Sequence, residues 1–291
     1  MRVMPFRTLY PGQQWTSLAL LLACCAACAR SSVPTTPPPP PTATPTGDWT
    51  LVWSDEFNGP DGSAVDPNKW SFDIGGSGWG NGEWQYYTDR TDNAYVEDEA
   101  LVIKAQKEDY KGNRYTSARL VTKGQGDWRY GRFEIRAKLP YGQGIWPAIW
   151  MLPTDWEYGN WPRSGEIDIM ELVGHEPARV HGTLHYGIPH TYEGDHYDLP
   201  GERTFADDYH VFAVEWEPDE IRWYVDGYHY QTQTEWFTSS TKGSEHAPFD
   251  QRFHLLLNVA VGGTWPGFPD ETTEFPQYMY VDYVRVYQRE N

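Results

Sequence analysis

The chain has 291 residues, with 41 acidic against 23 basic side chains and a formal charge of −18. That balance excludes a phosphate-gripping nucleic-acid binder and an electrostatic binder of anionic membranes. The aromatic content of 16%, with 15 Trp and 20 Tyr, excludes disorder over the whole length. It leaves two uses for the rings, a Trp-rich core or platforms for flat neutral ligands such as sugars.

In chain order, residues 1–28 read as an export signal. Arg2 and Arg7 give a basic start, and Leu18 to Ala27 is an apolar run too short to span a bilayer. All three cysteines lie here, in Cys24-Cys25-Ala26-Ala27-Cys28. The segment resembles a bacterial lipoprotein signal. Leu21-Leu22-Ala23-Cys24 fits the cleavage box and Ala26-Ala27-Cys28 fits nearly as well, so Cys24 and Cys28 are the lipidation candidates. Ordinary cleavage after Ala29 would release a soluble protein instead. Either way the protein is exported, to the cell surface or outer membrane as a lipoprotein or fully secreted, and the mature domain holds no disulfide. An N-terminal lipid would be its one membrane contact. Residues 29–47 are Pro/Thr-rich, with Pro37 to Pro41 unbroken, a stiff polyproline II spacer. Residues 48–291 form the folded domain, read as a monomer. Arg2, Arg7 and Arg30 precede it and no acid does, so it carries 20 basic and 41 acidic residues, a formal −21.

From Asp48 onward the hydrophobic period is two. Phe133, Ile135, Ala137 and Leu139 alternate with Glu134, Arg136 and Lys138, which predicts a strand with one wet face. Val211 to Trp216 and Ile221 to Val225 are further strands, and Asp226-Gly227 turns the second into Tyr228 to Thr232 as a hairpin. Val281 to Gln288 is a last strand. No dozen residues carry a helical stripe. The prediction is an all-β fold, a sandwich or barrel of antiparallel sheets.

Ser164 to Leu172 is a strand by composition, yet it places three acids in six positions, Glu166, Asp168 and Glu171. Burying unpaired carboxylates is costly, so a purely structural strand would avoid them. Alternation puts Glu166 and Asp168 on one face and Glu171 on the other. A one-residue bulge near Ile169-Met170 would return Glu171 to the acid face. Two glutamate arms could then approach to about 5–5.5 Å, the separation for one nucleophile and one general acid/base. Crowded acids also push one another's pKa values apart, which suits those two roles. The alternatives are a solvated acidic face or a Ca²⁺ site, although calcium sites favour loops.

Glu166-Ile-Asp-Ile-Met-Glu171 resembles the catalytic signature of glycoside hydrolase family 16, in its bulged laminarinase branch. The resemblance extends to Trp53-Ser-Asp-Glu-Phe-Asn-Gly59, Gly80-Asn-Gly-Glu-Trp-Gln-Tyr-Tyr-Thr88 and Tyr130 to Lys138. Gly144-Ile-Trp-Pro-Ala-Ile-Trp150, Gly262-Gly-Thr-Trp-Pro266 and Val281 to Tyr287 complete an ordered set over 49–288. It implies a β-jelly-roll sandwich of two antiparallel sheets with a concave substrate cleft. It further implies retaining endo-hydrolysis of β-1,3-glucan, with Glu166 as nucleophile, Glu171 as acid/base and Asp168 assisting. Mixed-linkage glucanase or transglycosylase chemistry is the alternative on the same scaffold, and a non-catalytic glucan-binding protein the alternative from another class. No cofactor is needed for catalysis.

By the same resemblance Trp146, Trp161 and Trp265 face sugar rings, and Asn81 and Arg119 hydrogen-bond sugar on the non-reducing side. Trp150 is assigned to the core. Arg119 has a salt-bridge role as its alternative. His185 is read as a hydrogen-bonding cleft residue, with His181 left open. Alternation sets Asp282 among Val284 and Val286, where an acid needs a partner. The resemblance implies a structural Ca²⁺ held by Asp282 with the backbone carbonyls of Glu56 and Glu99, a partnering arginine being the alternative. The family often has Gly where Glu99 stands, so Glu is tolerated there if its φ is negative.

Overall fold

The computed structural model describes residues 48–289; the export signal, the spacer, Cys24 and Cys28 lie outside them. The described residues contain no α-helix. Ten strands form one sheet and eight the other. The ten-stranded sheet runs Tyr228–Gln233, Glu220–Val225, His210–Glu217, Gly131–Lys138, Gln277–Arg289, Ala100–Tyr110, Asn113–Ser117, Gln85–Tyr87; Trp49–Asp55 and Ala94–Glu97 join it from the side. The eight-stranded sheet runs Thr191–Asp198, Arg179–Tyr186, Glu166–Glu171, Ile145–Pro153, Phe253–Val261, Arg119–Val121, Ser71–Phe72, with Asp127–Trp128 on Phe253–Val261. Pairing is antiparallel except between Gln85–Tyr87 and Asn113–Ser117.

The predicted alternation builds the core between the sheets. Phe133, Ile135 and Ala137 are fully buried, as are Ile149, Met151, Ile167, Leu255 and Leu257. Burying such side chains gives roughly 1.5–3 kcal/mol each, the term that offsets backbone ordering. Asp226-Gly227 makes the expected two-residue turn, with φ of 50° and 79° and Val225 opposite Tyr228. The left-handed pair matches the strand twist.

The expected wet face of the Gly131–Lys138 strand is corrected in part. Glu134 is only 2% exposed. Arg132 donates to Glu134 and to Glu215, and Tyr283 donates to Glu134 from the next strand. A cross-strand ion network covers this face where alternation alone implies water.

Candidate active site

The site lies on the outer face of the eight-stranded sheet. Ile149 pairs with Met170, but the next residue, Trp150, pairs with Asp168, so Ile169 is an extra residue. The bulge therefore falls at Ile169-Met170, as its carboxylate spacing requires. It returns Glu171 to the face of Glu166 and Asp168, opposite His181 and Ala148. The bulge is anchored from the other sheet, where the buried Trp223 Nε1 donates to the Asp168 carbonyl at 2.8 Å. Gly182 on the neighbouring strand makes room, because a Cβ there would meet Trp223 and the Tyr230 hydroxyl.

Each glutamate receives one indole N–H. Trp161 Nε1 donates to Glu166 Oε2 at 2.8 Å, and Trp146 Nε1 to Glu171 Oε1 at 3.1 Å. Asp168 is 1% exposed and lies between them. His185 Nε2 stands 3.2 Å from Asp168 Oδ2 and 4.0 Å from Glu166 Oε1. Burial, then the Asp168 charge, pushes Glu166 up to about 8, against the pull of His185 and Trp161. Burial pushes Asp168 up to about 8, with the Glu166 hydrogen bond opposing it. Burial and then both neighbouring acids hold Glu171 well above the carboxylate range. Three acids so arranged cannot all ionise near neutrality.

The cleft aromatics divide around these acids. Trp265, 42% exposed, meets Trp146 edge-on at 5.5 Å, and His181 at 5.2 Å. His181 thus lines the Trp265 side of the cleft, away from His185. Trp161, 46% exposed, rises on the opposite side beside Glu166. Trp150 is corrected from core to cleft. It pairs with Asp168 and shares its face, and its Nε1 donates to Asn258. The Arg119 guanidinium lies over both Trp150 and Trp79, at 4.6 and 4.7 Å, while its Nε meets Asp73 at 3.0 Å. Arg119 therefore makes the ion pair and also belongs to the cleft face. Asn81 Nδ2 donates to Glu83, which Gln85 and Tyr87 also donate to. Asn81 is thereby held beside the buried Glu83.

Sequence reasoning missed Trp79, Glu83 and His190. His190 packs on Trp161 at 4.7 Å and reaches His185. Its position depends on the hairpin that sets Tyr186 opposite Thr191, a loop geometry with no periodic signal. Glu83 is buried, and burial raises its pKa. Its place within Gly80 to Thr88 was the available hint.

The residues proposed for calcium are brought together by register, since Asp55 pairs with Val284 and Leu101 with Val281. Glu56 and Glu99 therefore flank Asp282. Two expectations are corrected. The strand bulges between Val281 and Tyr283, so Asp282 leaves the valine face; its side chain is 36% exposed and takes Arg136 Nη1 at 2.6 Å. Glu99 has φ of 58° and Asp98 51°, both left-handed, because they form the two-residue turn between Glu97 and Ala100. The Glu56 carboxylate pairs with Arg285, leaving its carbonyl as the possible donor. The oxygen donors suit calcium in kind, but Asp282 would share its charge with Arg136.

A sandwich with paired carboxylates on one strand, flanked by exposed tryptophans, defines a glycoside hydrolase. The chain belongs to glycosyl hydrolases family 16, whose model matches residues 81–285. It is 52% identical over 250 residues to a beta-glucanase of Rhodothermus marinus, covering 82% of this chain and 85% of that protein. It is 43% identical over 262 residues to glucan endo-1,3-beta-glucosidase A1 of Niallia circulans, covering 82% of this chain and 38% of that protein. Among solved structures, the laminarinase from Rhodothermus marinus superposes with a TM-score of 0.75 at 49% identity, covering 84% of this chain and 98% of that one. The jelly-roll expectation agrees with these neighbours.

Proposed function

We propose that this protein is a retaining endo-β-1,3-glucanase acting on laminarin-like polysaccharide. The observation that carries the reading is the Ile169 bulge, which gathers Glu166, Asp168 and Glu171 on one face with an indole donor on each glutamate. The relatives named for β-1,3-glucan cleavage support the substrate class.

Glu171 holds the proton and delivers it to the glycosidic oxygen. Glu166, stabilised as an anion by Trp161, attacks the anomeric carbon and forms a covalent glycosyl-enzyme. Glu171, now ionised, takes a proton from water as the water cleaves that bond. Asp168 carries the proton that Glu166 gives up, and hydrogen-bonds it. Trp146, Trp161 and Trp265 offer apolar faces to sugar C–H groups, while Asn81, Arg119 and His185 serve hydroxyls at the edges. A product time course by NMR on laminarin, lichenan, agarose and xyloglucan tests the reading. β-Anomers first, from laminarin, support it; α-anomers first would contradict it.

We also propose a structural role for calcium, held by Asp282 with the Glu56 and Glu99 carbonyls, fastening the end of Trp49–Asp55 and the Asp98-Glu99 turn to the bulge at Asp282. Chelation should lower the melting temperature and re-addition restore it; no shift removes the ion from the account. Export, by a lipid on Cys24 or Cys28 or by full secretion, rests on the composition of residues 1–47. Palmitate labelling of the wild type against Cys24→Ala and Cys28→Ala variants separates the two routes.

A further inference from the structure

Glu166, Asp168 and His185 each bring a metal-binding atom to one small volume, all three within 4.8 Å of one another. His185 Nε2 stands 3.2 Å from Asp168 Oδ2 and 4.0 Å from Glu166 Oε1. Asp168 Oδ2 is buried, and no hydrogen bond reaches it, from His185 or from any other group. A carboxylate oxygen left without a partner in a residue 1% exposed is costly, and it is aimed at the other two donors.

The spacing suits a small divalent ion. Zinc bonds nitrogen and oxygen at about 2.0–2.2 Å, which sets tetrahedral ligands roughly 3.3–3.6 Å apart. The His185–Asp168 pair is already near that spacing, and a small rotation of the Glu166 arm closes the rest. Trp161 holds Glu166 by Oε2, so Oε1 is the oxygen on the His185 side. One imidazole with two carboxylates is the donor set of a transition-metal ion, whereas calcium takes oxygens alone. Charge points the same way. Burial opposes ionisation of both acids, and the fixed cation that acts on Glu166, Arg119, is itself paired with Asp73. A divalent ion neutralises the two carboxylates together. The Glu166 and His185 side chains are 15% and 22% exposed, so the ion enters from the cleft, with Asp168 beneath it.

We propose that Glu166, Asp168 and His185 form an inhibitory site for a divalent transition-metal ion of the zinc type, which caps Glu166 and excludes the sugar. Binding of the ion stands apart from the glucanase reading; its effect on turnover rests on that reading. An ion on Glu166 Oε1 takes up the electron pair needed at the anomeric carbon and fills the space the sugar requires. Zinc and substrate therefore compete, so zinc raises the apparent KM and leaves kcat.

The test is calorimetric titration of the whole protein with zinc chloride, in buffer holding saturating calcium so that the Asp282 region is already supplied. The wild type should bind one zinc ion. His185→Gln and Asp168→Asn each remove a ligand and should weaken binding more than roughly tenfold, since losing even a group behind a ligand costs about 10–100-fold. His196→Gln removes a surface histidine that pairs with Asp195 and Asp198, and should bind zinc within twofold of wild type. Zinc at ten times its measured Kd should raise the apparent KM for laminarin about elevenfold, the factor 1 + [Zn]/Kd, with kcat unchanged. The proposal is overturned if the wild type binds no zinc, if His185→Gln and Asp168→Asn bind it as wild type does, or if His196→Gln abolishes binding. Zinc bound at the three residues with laminarin hydrolysis untouched also overturns it. A wild type inactive on laminarin that still binds one zinc, lost in His185→Gln, would defeat the glucanase reading and leave the metal site standing.

Discussion

Trp161→Phe isolates the control of the nucleophile. The indole N–H lies 2.8 Å from Glu166 Oε2, and Phe keeps the ring while removing that donor. A hydrogen bond to a charged group contributes about 1.5–3 kcal/mol. Trp161 is 46% exposed, so water screens the bond and the lower end applies. About 1.5 kcal/mol is roughly one pKa unit. The bond favours ionised Glu166, so its loss raises a pKa already pushed up to about 8 by burial and Asp168. Glu166 must be ionised to attack, and the acid limb of kcat/KM reports that ionisation in the free enzyme. That limb should move up by about one pH unit. Trp146→Phe makes the matching change at Glu171, which must be protonated to act, so there the basic limb moves up instead. One variant narrows the bell and the other widens it. The assay is initial rates on laminarin across pH. An acid limb that stays in place in Trp161→Phe, or a basic limb that falls in Trp146→Phe, refutes the assignment of roles.

Other outcomes follow from the same geometry. Gly182→Ala drives a Cβ into Trp223 and Tyr230 and disturbs the anchor on the Asp168 carbonyl; it should cost ~2–4 kcal/mol by denaturant unfolding, and an unchanged midpoint would remove the anchor from the account. Glu99→Gly relieves a left-handed residue at φ 58° against a smaller entropy loss, so the melting temperature should rise by about 1–3 °C; a fall would show that the Glu side chain stabilises the turn. Glu166→Gln should abolish hydrolysis yet melt higher than wild type at pH 8. A carboxyl whose folded pKa is raised withholds stability increasingly as pH climbs from the ordinary carboxylate range through about 8, and the glutamine escapes that penalty. The difference should close near pH 4, and equal melting at both pH values would mean Glu166 is not strained by burial.

The strands and the acid face were legible because a half-buried strand writes its faces in alternation. Ile167 and Ile169 against Glu166 and Asp168 needed only the period and the cost of buried charge. The bulge at Ile169 could be inferred because Glu171 makes chemical sense on one face alone. Alternation failed where a register slip was silent in composition. Asp282 left the valine face through such a slip, and Glu134 is covered by arginine and tyrosine arriving from distant strands. Trp150, assigned to the core, has Asp168 as its strand partner and so shares the acid face. His190 is placed by a hairpin loop, and loops carry turn chemistry rather than a period. Tertiary pairing, not local pattern, decided each of these.

The central claim is that Glu166 attacks the sugar while Glu171 supplies the proton. Incubation with a 2-deoxy-2-fluoro β-1,3-linked disaccharide fluoride slows breakdown of the covalent intermediate enough to weigh it. The intact protein should gain one fluoroglycosyl mass, and fragmentation of the labelled peptide should place it on Glu166. A label on Glu171 or Asp168, or stoichiometric turnover with no label at all, would contradict the account.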